Sequence, residues 1–197
     1  NVKNVKGNII IASNHLSEMD PLLIVSILPF FSRHIPLIYV SRQKYNNLDI
    51  GWKILLYGGI FFKMIGAYPS YTGLKDYRKA LPHHLKIAKK GKNIAIFPYG
   101  GIIRDGKPKK AKGGVGFLSY KTNLPVIPLL IKGTKNFTLK NILSGRNNVA
   151  FTFDIPLYPK DIFRNHKKVI LNDKQNDYAL AAVVIMQRIE KLAWEFK

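Results

Sequence analysis

Short apolar runs that alternate with helical stretches place the strongest limit on how this chain can fold. Residues 9–12, Ile-Ile-Ile-Ala, form a brief and largely β-branched run that predicts a buried strand. Four similar runs predict strands over residues 35–40, 93–97, 124–131 and 149–153. Strands that alternate with helices are typical of an α/β domain, so we expect a mixed, largely parallel sheet flanked by helices.

Three helical segments fall between and after these strands. Residues 21–28 begin with Pro21, and proline suits the first position of a helix. Residues 74–90 repeat apolar side chains every three or four positions, which predicts a basic helix despite Pro82 in its middle. A long helix is expected over residues 178–196.

The charge balance points to a polyanionic partner. The chain carries 32 basic and 11 acidic side chains, which gives a formal net charge of +21. Such an excess favours nucleic acid, an anionic membrane surface or a phosphate-rich substrate, and charge alone does not choose among them. No recognisable helix-turn-helix, zinc or RNA-binding motif is present, which makes nucleic acid the least favoured of the three. The absence of cysteine excludes disulfides and thiolate metal sites.

The most apolar long stretch covers residues 51–69. Lys53 and Lys63 interrupt it, so it falls short of the ~18 uncharged residues that a spanning helix needs. Its aromatic and glycine residues favour a place at a membrane interface, and a buried helix and strand would explain them equally well. We expect one domain over residues 1–197 and, because Asn1 is not a methionine, an upstream segment able to hold a membrane anchor.

The segment ASNHLSEMDP, residues 12–21, places His15 and Asp20 five residues apart directly after the first predicted strand. An imidazole can take a proton from an attacking alcohol, a contribution of about 10²–10⁴ in rate. It works best when a carboxylate fixes its tautomer, and a loop between strand and helix can bring Asp20 within hydrogen-bonding range. The pair Asp20-Pro21 is also what the N-cap and first turn of a helix require, and taken alone that structural explanation is the stronger one.

Other nucleophiles and metal sites have less support. Ser17 lies near His15, but no G-x-S-x-G pattern occurs, so we expect Ser17 to hydrogen-bond within the loop. The remaining histidines predict no metal site, because two are adjacent on a predicted helix and diverge, and no acidic cluster accompanies any of them. These histidines are His34, His83, His84 and His166.

A glycine-rich and lysine-rich segment, FPYGGIIRDGKPKKAKGG, covers residues 97–114 after the third predicted strand. Its composition favours phosphate or membrane contact, although a solvated loop explains the lysines equally well. Residues 101–107 imitate the nucleotide-binding pattern G-x-x-x-x-G-K, but Pro108 stands where a magnesium-binding serine or threonine is needed, which rejects nucleotide hydrolysis. The loops 13–20 and 98–112 both follow strands, so we expect them to meet at one edge of the sheet.

Four blocks in this order resemble the glycerolipid acyltransferase family, the lysophosphatidic acid acyltransferase group. Residues 14–21 match the family pattern N-H-x-S-x-x-D-P, and residues 66–69 resemble its G-A-φ-P turn. Residues 97–106 resemble F-P-E-G-T-R-S-R-D-G, and residues 124–128 resemble the strand P-V-I-P. The resemblance covers nearly the whole chain and outweighs the structural explanation of Asp20.

The resemblance implies a glycerol-3-phosphate acyltransferase-like single domain. It implies transfer of a fatty acyl group from acyl-CoA or acyl carrier protein, as co-substrate and without another cofactor or metal, to a lysophospholipid hydroxyl in phospholipid synthesis. The expected acceptor is 1-acyl-glycerol-3-phosphate, and the expected place is the cytoplasmic face of a membrane, peripheral or anchored. In this H-x4-D motif His15 deprotonates the acceptor and Asp20 orients His15. The implied substrate-binding residues are Asn14, Ser17, Tyr99, Gly100, Gly101, Arg104 and Lys107, with loop N–H groups around Tyr99 to Gly101 as oxyanion donors.

Three positions depart from the family pattern. Tyr99 replaces a glutamate, Ile102 replaces an arginine, and Thr72 stands about where the second block usually has an arginine. Arginine holds phosphate with two parallel hydrogen bonds, which threonine and isoleucine cannot do. Either other cations hold the phosphate, or the acceptor is not a glycerol phosphate, or the protein binds anionic lipid or nucleic acid without catalysis. The candidate cations are Lys75, Arg78, Arg104 and Lys107.

Overall fold

The strands form one sheet in the computed structural model, which describes residues 5–42, 66–71, 73–74, 76–103, 110–135, 148–164 and 175–195. Within these ranges the sheet has six strands in the order β3-β2-β4-β1-β5-β6. The first five strands in this order pair in parallel, and β6 pairs with β5 in the antiparallel sense. The prediction of a mixed, largely parallel sheet is therefore confirmed. The strands are β1 (Ile10–Ser13), β2 (Leu37–Arg42), β3 (Ala67–Ser70), β4 (Asn93–Ile96), β5 (Val126–Lys132) and β6 (Ala150–Phe153).

Helices cover both faces of the sheet. One face packs against α3, α4 and α6 in a core that contains Phe117, Leu118 and Ile185. The other face packs against Ile24 of α1 and against Leu28, just after the end of that helix. The helices in the described ranges are α1 (Asp20–Ser26), α2 (Tyr77–Ala80), α3 (Pro82–Lys89), α4 (Gly114–Thr122), α5 (Pro159–Ile162) and α6 (Gln175–Glu195). None of them combines the length and the apolar composition needed to cross a bilayer.

The strand register sets the position of the candidate site. Ala12 of β1 lies opposite Ile96 of β4 on one side and Pro128 of β5 on the other. The carboxyl ends of β1 and β4 are therefore adjacent, and the loops that follow them meet at one edge of the sheet. In open α/β sheets this is the edge at which ligands bind.

The predicted basic helix is two helices in the structure. Leu81 adopts φ −128° and ψ 42°, outside the helical region, and separates α2 from α3. The cause is Pro82, which has no N–H to continue the helix and which disfavours helical geometry in the preceding residue. Pro82 instead begins α3, where a missing N–H costs nothing.

Two elements were not predicted. Residues 66–69 were expected to form a turn, but only Gly66, at φ +81°, turns, and β3 begins at Ala67. Pro69 is tolerated there because β3 lies at the edge of the sheet. The glycine-rich segment ends in α4, and a Cβ on Gly113 would lie 2.6 Å from the carbonyl carbon of Tyr178. This glycine therefore allows α4 and α6 to pack closely, and phosphate or membrane contact by the segment stays a prediction. Residues 51–65 of the predicted interfacial stretch lie outside the described residues.

Candidate active site

His15 and Asp20 meet in the loop between β1 and α1. The His15 Nδ1 atom lies 2.9 Å from the Asp20 Oδ2 atom. Asp20 is fully buried, and the His15 side chain is 15% exposed. Because a carboxylate only accepts hydrogen bonds, this geometry assigns the proton of the neutral imidazole to Nδ1 and the lone pair to Nε2. That is the tautomer that a general base requires.

The Asp20 carboxylate also holds the loop in shape. Its Oδ2 atom accepts hydrogen bonds from the main-chain N–H groups of Leu16 at 2.7 Å and Ser17 at 2.8 Å. The N-cap of α1 is Met19, not Asp20, so the predicted capping role is wrong in its position. The carboxylate points back into the loop because it caps the N–H groups that precede the helix. Within the described part of the chain its second oxygen, Oδ1, has no hydrogen-bond partner.

The loop after β4 contacts His15 in two ways. The Phe97 ring stacks on the imidazole with 4.0 Å between the ring centroids and an interplanar angle of 14°. The main-chain N–H of Ile103 donates to the His15 carbonyl oxygen at 2.9 Å. Together with the Asp20 contact, these fix both the ring plane and the main chain of His15.

Asn14 joins the site to the neighbouring strand. Its side chain donates from Nδ2 to the Ile131 carbonyl at 2.8 Å and accepts the Ile131 N–H at Oδ1, also at 2.8 Å. These two side-chain bonds continue the hydrogen bonding of β1 with β5 beyond Ser13, where the main chain of β1 ends. The side-chain oxygen of Ser17 accepts the Met19 N–H at 3.2 Å, which confirms the predicted hydrogen bond within the loop. Substrate binding by Asn14 and by Ser17 stays a prediction.

The predicted oxyanion loop is only partly available for substrate. Gly100 turns at φ +68°, and its N–H donates to the Phe97 carbonyl at 2.8 Å, so this N–H is already engaged. Gly101 is half-buried in the same loop. Arg104 and Lys107 lie outside the described residues, so their predicted roles stay predictions.

The side chain of Tyr99 points into the core and is only 7% exposed. Its hydroxyl donates to Glu190 Oε1 at 2.6 Å. Burial raises the pKa of the Tyr99 phenol, and the hydrogen bond and charge of Glu190 raise it further, so the phenol keeps its proton. The predicted contact of Tyr99 with substrate stays a prediction, and the structure gives this side chain a partner on the C-terminal helix.

Sequence reasoning missed two contacts of the site. Glu190 lies 91 residues from Tyr99, and no local pattern links the two. The Tyr39 hydroxyl donates to the Pro21 carbonyl at 2.6 Å and ties α1 to β2. A buried tyrosine usually has a hydrogen-bond partner for its hydroxyl, so a partner could have been expected for Tyr99 and Tyr39, although its identity could not.

The structure supplies no metal cluster among the described residues. His83 lies near the Tyr71 ring and His84 near the Tyr68 ring, so the adjacent histidines diverge as predicted. No group of three or more His, Asp and Glu side chains in the described ranges is arranged to hold a metal ion.

Comparisons with known proteins agree with this geometry. The family model described as Acyltransferase matches residues 1–132. The chain is 25% identical over 138 residues to a 1-acyl-sn-glycerol-3-phosphate acyltransferase of Borreliella burgdorferi. This alignment covers 70% of this chain and 51% of the relative. It is 28% identical over 137 residues to the chloroplastic 1-acyl-sn-glycerol-3-phosphate acyltransferase BAT2 of Brassica napus. That alignment covers 56% of this chain and 40% of the relative. The chain thus spans about half the length of the curated relatives it matches.

The fold also matches a solved structure. The crystal structure of the 1-acyl-sn-glycerophosphate (LPA) acyltransferase PlsC from Thermotoga maritima superposes with a TM-score of 0.59 at 20% identity. The match covers 96% of this chain and 68% of that chain. At this identity the likeness concerns the fold.

Proposed function

Because the chain belongs to the Acyltransferase family, we propose that it is an O-acyltransferase that moves a fatty acyl group from a thioester to the hydroxyl of a lysophospholipid. The donor is acyl-CoA or acyl carrier protein, and 1-acyl-glycerol-3-phosphate is the first candidate for the acceptor. The observation that carries the proposal is the 2.9 Å contact between His15 Nδ1 and the buried Asp20 carboxylate. This contact presents Nε2 of His15 as a base.

The reaction needs no acyl-enzyme intermediate. The Nε2 atom of His15 takes the proton of the acceptor hydroxyl as its oxygen attacks the thioester carbonyl. Asp20 stabilises the imidazolium that forms. The tetrahedral intermediate then breaks its C–S bond, and the departing thiolate recovers the proton from His15. Main-chain N–H groups of the loop after β4 stabilise the oxyanion, with Gly100 excluded because its N–H is bonded to Phe97.

The acceptor's phosphate is bound by lysine or arginine side chains that differ from the family pattern. The relatives' names favour a glycerol phosphate acceptor, while Ile102 and Thr72 replace arginines of that pattern. The chain has 32 lysine and arginine side chains from which such a binding group could come. The first candidate among described residues is Arg78, which lies exposed at the start of α2. An acceptor without phosphate is the second possibility, and substrate choice distinguishes them.

The protein works at an anionic membrane surface, on the cytoplasmic face. Both substrates are amphiphiles, and each well-placed cation contributes about 1 kcal/mol of attraction to anionic lipid. Phe30 and Phe31, 85% and 95% exposed, add apolar side chains able to enter the lipid.

A turnover assay tests the proposal. The purified protein is given acyl-CoA or acyl carrier protein with lysophosphatidate, other lysophospholipids or glycolipids, and thiol release is followed. The chain has no cysteine, so a thiol reagent reports only the product. We expect His15→Ala to abolish acceptor-dependent release, because no other base remains at this position. His83→Ala is the matched control, since His83 is an exposed histidine on α3. Unchanged turnover by the His15 variant would refute the mechanism.

The alternative function is binding of polyanions without catalysis. The net charge of +21 favours it. It predicts an affinity for anionic lipid or nucleic acid that falls steeply with salt and does not depend on His15. Acceptor-dependent thiol release by the wild-type protein would exclude this alternative.

A further inference from the structure

The hydrogen bond between Tyr99 and Glu190 links two parts of the molecule that the family match separates. Tyr99 lies in the matched region, residues 1–132, and Glu190 lies beyond it on α6. The bond is short, 2.6 Å, and its donor belongs to a buried ring. Glu190 is exposed to solvent, which screens its charge, so the bond has the ordinary strength of a single protein hydrogen bond.

The two ends of this bond are unequally fixed. The α6 helix is anchored in the core through Ile185 and Ile189, which are 0% and 1% exposed. The Tyr99 end belongs to the loop after β4, which has its own turn at Gly100 and no regular secondary structure from Phe97 to Ile103. The bond therefore holds a loop on a rigid helix.

The loop held in this way is the one that contacts the catalytic histidine. Phe97, two residues before Tyr99, stacks on the His15 ring, and Ile103, four residues after it, donates to the His15 carbonyl. Asn14, Tyr99 and Glu190 also line a common cleft of about 360 Å³ whose other walls are apolar. A displacement of Tyr99 would therefore change both the loop contacts to His15 and the wall of this cleft.

We propose that Tyr99 and Glu190 are a positioning pair that fixes the loop of residues 97–103 on the C-terminal helix and thereby sets the affinity for the acyl acceptor. The inference rests on the proposed acyltransferase function. Acceptor binding must order a loosened loop again, and the cost of this ordering appears in KM. In the complex that reacts, Phe97 then lies on the His15 ring and Asp20 on Nδ1 as in the wild type, so kcat changes little. The pair works through hydrogen-bond geometry, so it needs an acceptor oxygen at position 190 and not a negative charge.

Kinetics of four variants test this pair. Tyr99→Phe removes only the hydrogen-bond donor. We expect KM for the acceptor to rise about tenfold, which corresponds to the loss of one hydrogen bond, while kcat stays within twofold of the wild type. Glu190→Ala should do the same, and the double variant should be no worse than either single variant. Glu190→Gln keeps an oxygen that accepts from the phenol and should retain KM within about twofold of the wild type. Matched controls are Tyr120→Phe, a partly exposed tyrosine on α4, and Glu195→Ala, an exposed glutamate on α6.

Hydrogen exchange makes the test independent of turnover. We expect the amides of residues 97–103 to exchange faster in Tyr99→Phe and Glu190→Ala than in Glu190→Gln or the controls. An unchanged KM in Tyr99→Phe, unchanged exchange, or a Glu190→Gln variant as impaired as Glu190→Ala would each overturn the pair. Absence of turnover in the wild-type protein would instead refute the proposed function, and the exchange measurement would still decide whether the pair positions the loop.

Discussion

Replacing Asp20 by asparagine separates the two tasks of this side chain. The Oδ2 atom accepts from His15 Nδ1 and from the N–H groups of Leu16 and Ser17, at 2.7 to 2.9 Å. An asparagine that places its carbonyl oxygen at the Oδ2 position keeps all three acceptor contacts. What it removes is the negative charge beside the imidazole.

The size of the effect follows from the charge that His15 carries after it takes the proton. Two unit charges about 4 Å apart interact by about 4 kcal/mol at the effective dielectric constant of a partly buried pair. Asp20 is fully buried and His15 is 15% exposed, so solvent screens the pair only weakly. Part of this energy is recovered by the neutral amide, so we expect kcat for acyl transfer to fall by about 10²–10³.

The loss of folding stability should be smaller than the loss of transition-state stabilisation. The asparagine NH₂ group would occupy the Oδ1 position, which is buried and has no partner among the described residues. An unpaired buried donor costs about 1–3 kcal/mol. Asp20→Ala should cost more, because it leaves the N–H groups of Leu16 and Ser17 without their acceptor. Urea denaturation of both variants, compared with the wild type, measures these costs.

The decisive comparison is thiol release by Asp20→Asn at a temperature where urea titration shows it folded. A variant that keeps more than about a tenth of wild-type kcat would refute the role of the Asp20 charge. Retention of activity by Asp20→Ala would refute the pair altogether.

Two predictions concern residues outside the site. Burial lowers the pKa of His84 to about 4 from its usual 6.5, so between these pH values the unfolded chain binds a proton that the folded chain does not. This contribution to stability should therefore be fully present above about pH 6.5 and fall by up to about 3 kcal/mol towards pH 4. Urea titrations at several pH values give the free energy of unfolding, which should fall less steeply with decreasing pH in His84→Gln than in the wild type. An equal pH dependence in both proteins would contradict this. Gly116→Ala gains up to about 1 kcal/mol of helix propensity, but its Cβ would lie 2.8 Å from both the Ala181 Cβ and the Tyr178 carbonyl oxygen. Overpacking of about 1–3 kcal/mol should win, so a net gain in stability by urea titration would show that α4 and α6 can move apart.

The parts of the fold that were predicted correctly depend on local pattern. The five expected strands appear within two residues of their predicted limits, and the largest differences are the start and end of β2 and the start of β5, each two residues late. Buried parallel strands need short apolar runs, so composition alone marks them. The His15–Asp20 contact was predictable for a similar reason, because both residues belong to one loop and the fold has only to bend it.

What the sequence did not reveal depends on tertiary packing. The α4 helix is buried on nearly all sides from Gly114 to Ser119, so it has no polar face and no helical periodicity to recognise. Its glycines resemble a phosphate loop in sequence, and only the position of α6 shows why they are small. Glu190 is an exposed acid on α6, and only the fold brings its carboxylate to the Tyr99 hydroxyl.

The strong positive charge of the chain makes the local carboxylate more important. A net charge of +21 opposes the formation of one more cation, the imidazolium of His15, in the proposed reaction. Charges more than about 8–10 Å away are screened at physiological salt, whereas Asp20 is in direct contact and shielded from water. The adjacent negative charge therefore outweighs the distant positive ones at the base, and the same positive charges remain free to attract anionic lipid at the surface. One molecule can then combine a basic exterior with a histidine that accepts a proton, provided that the carboxylate stays buried and ionised beside it.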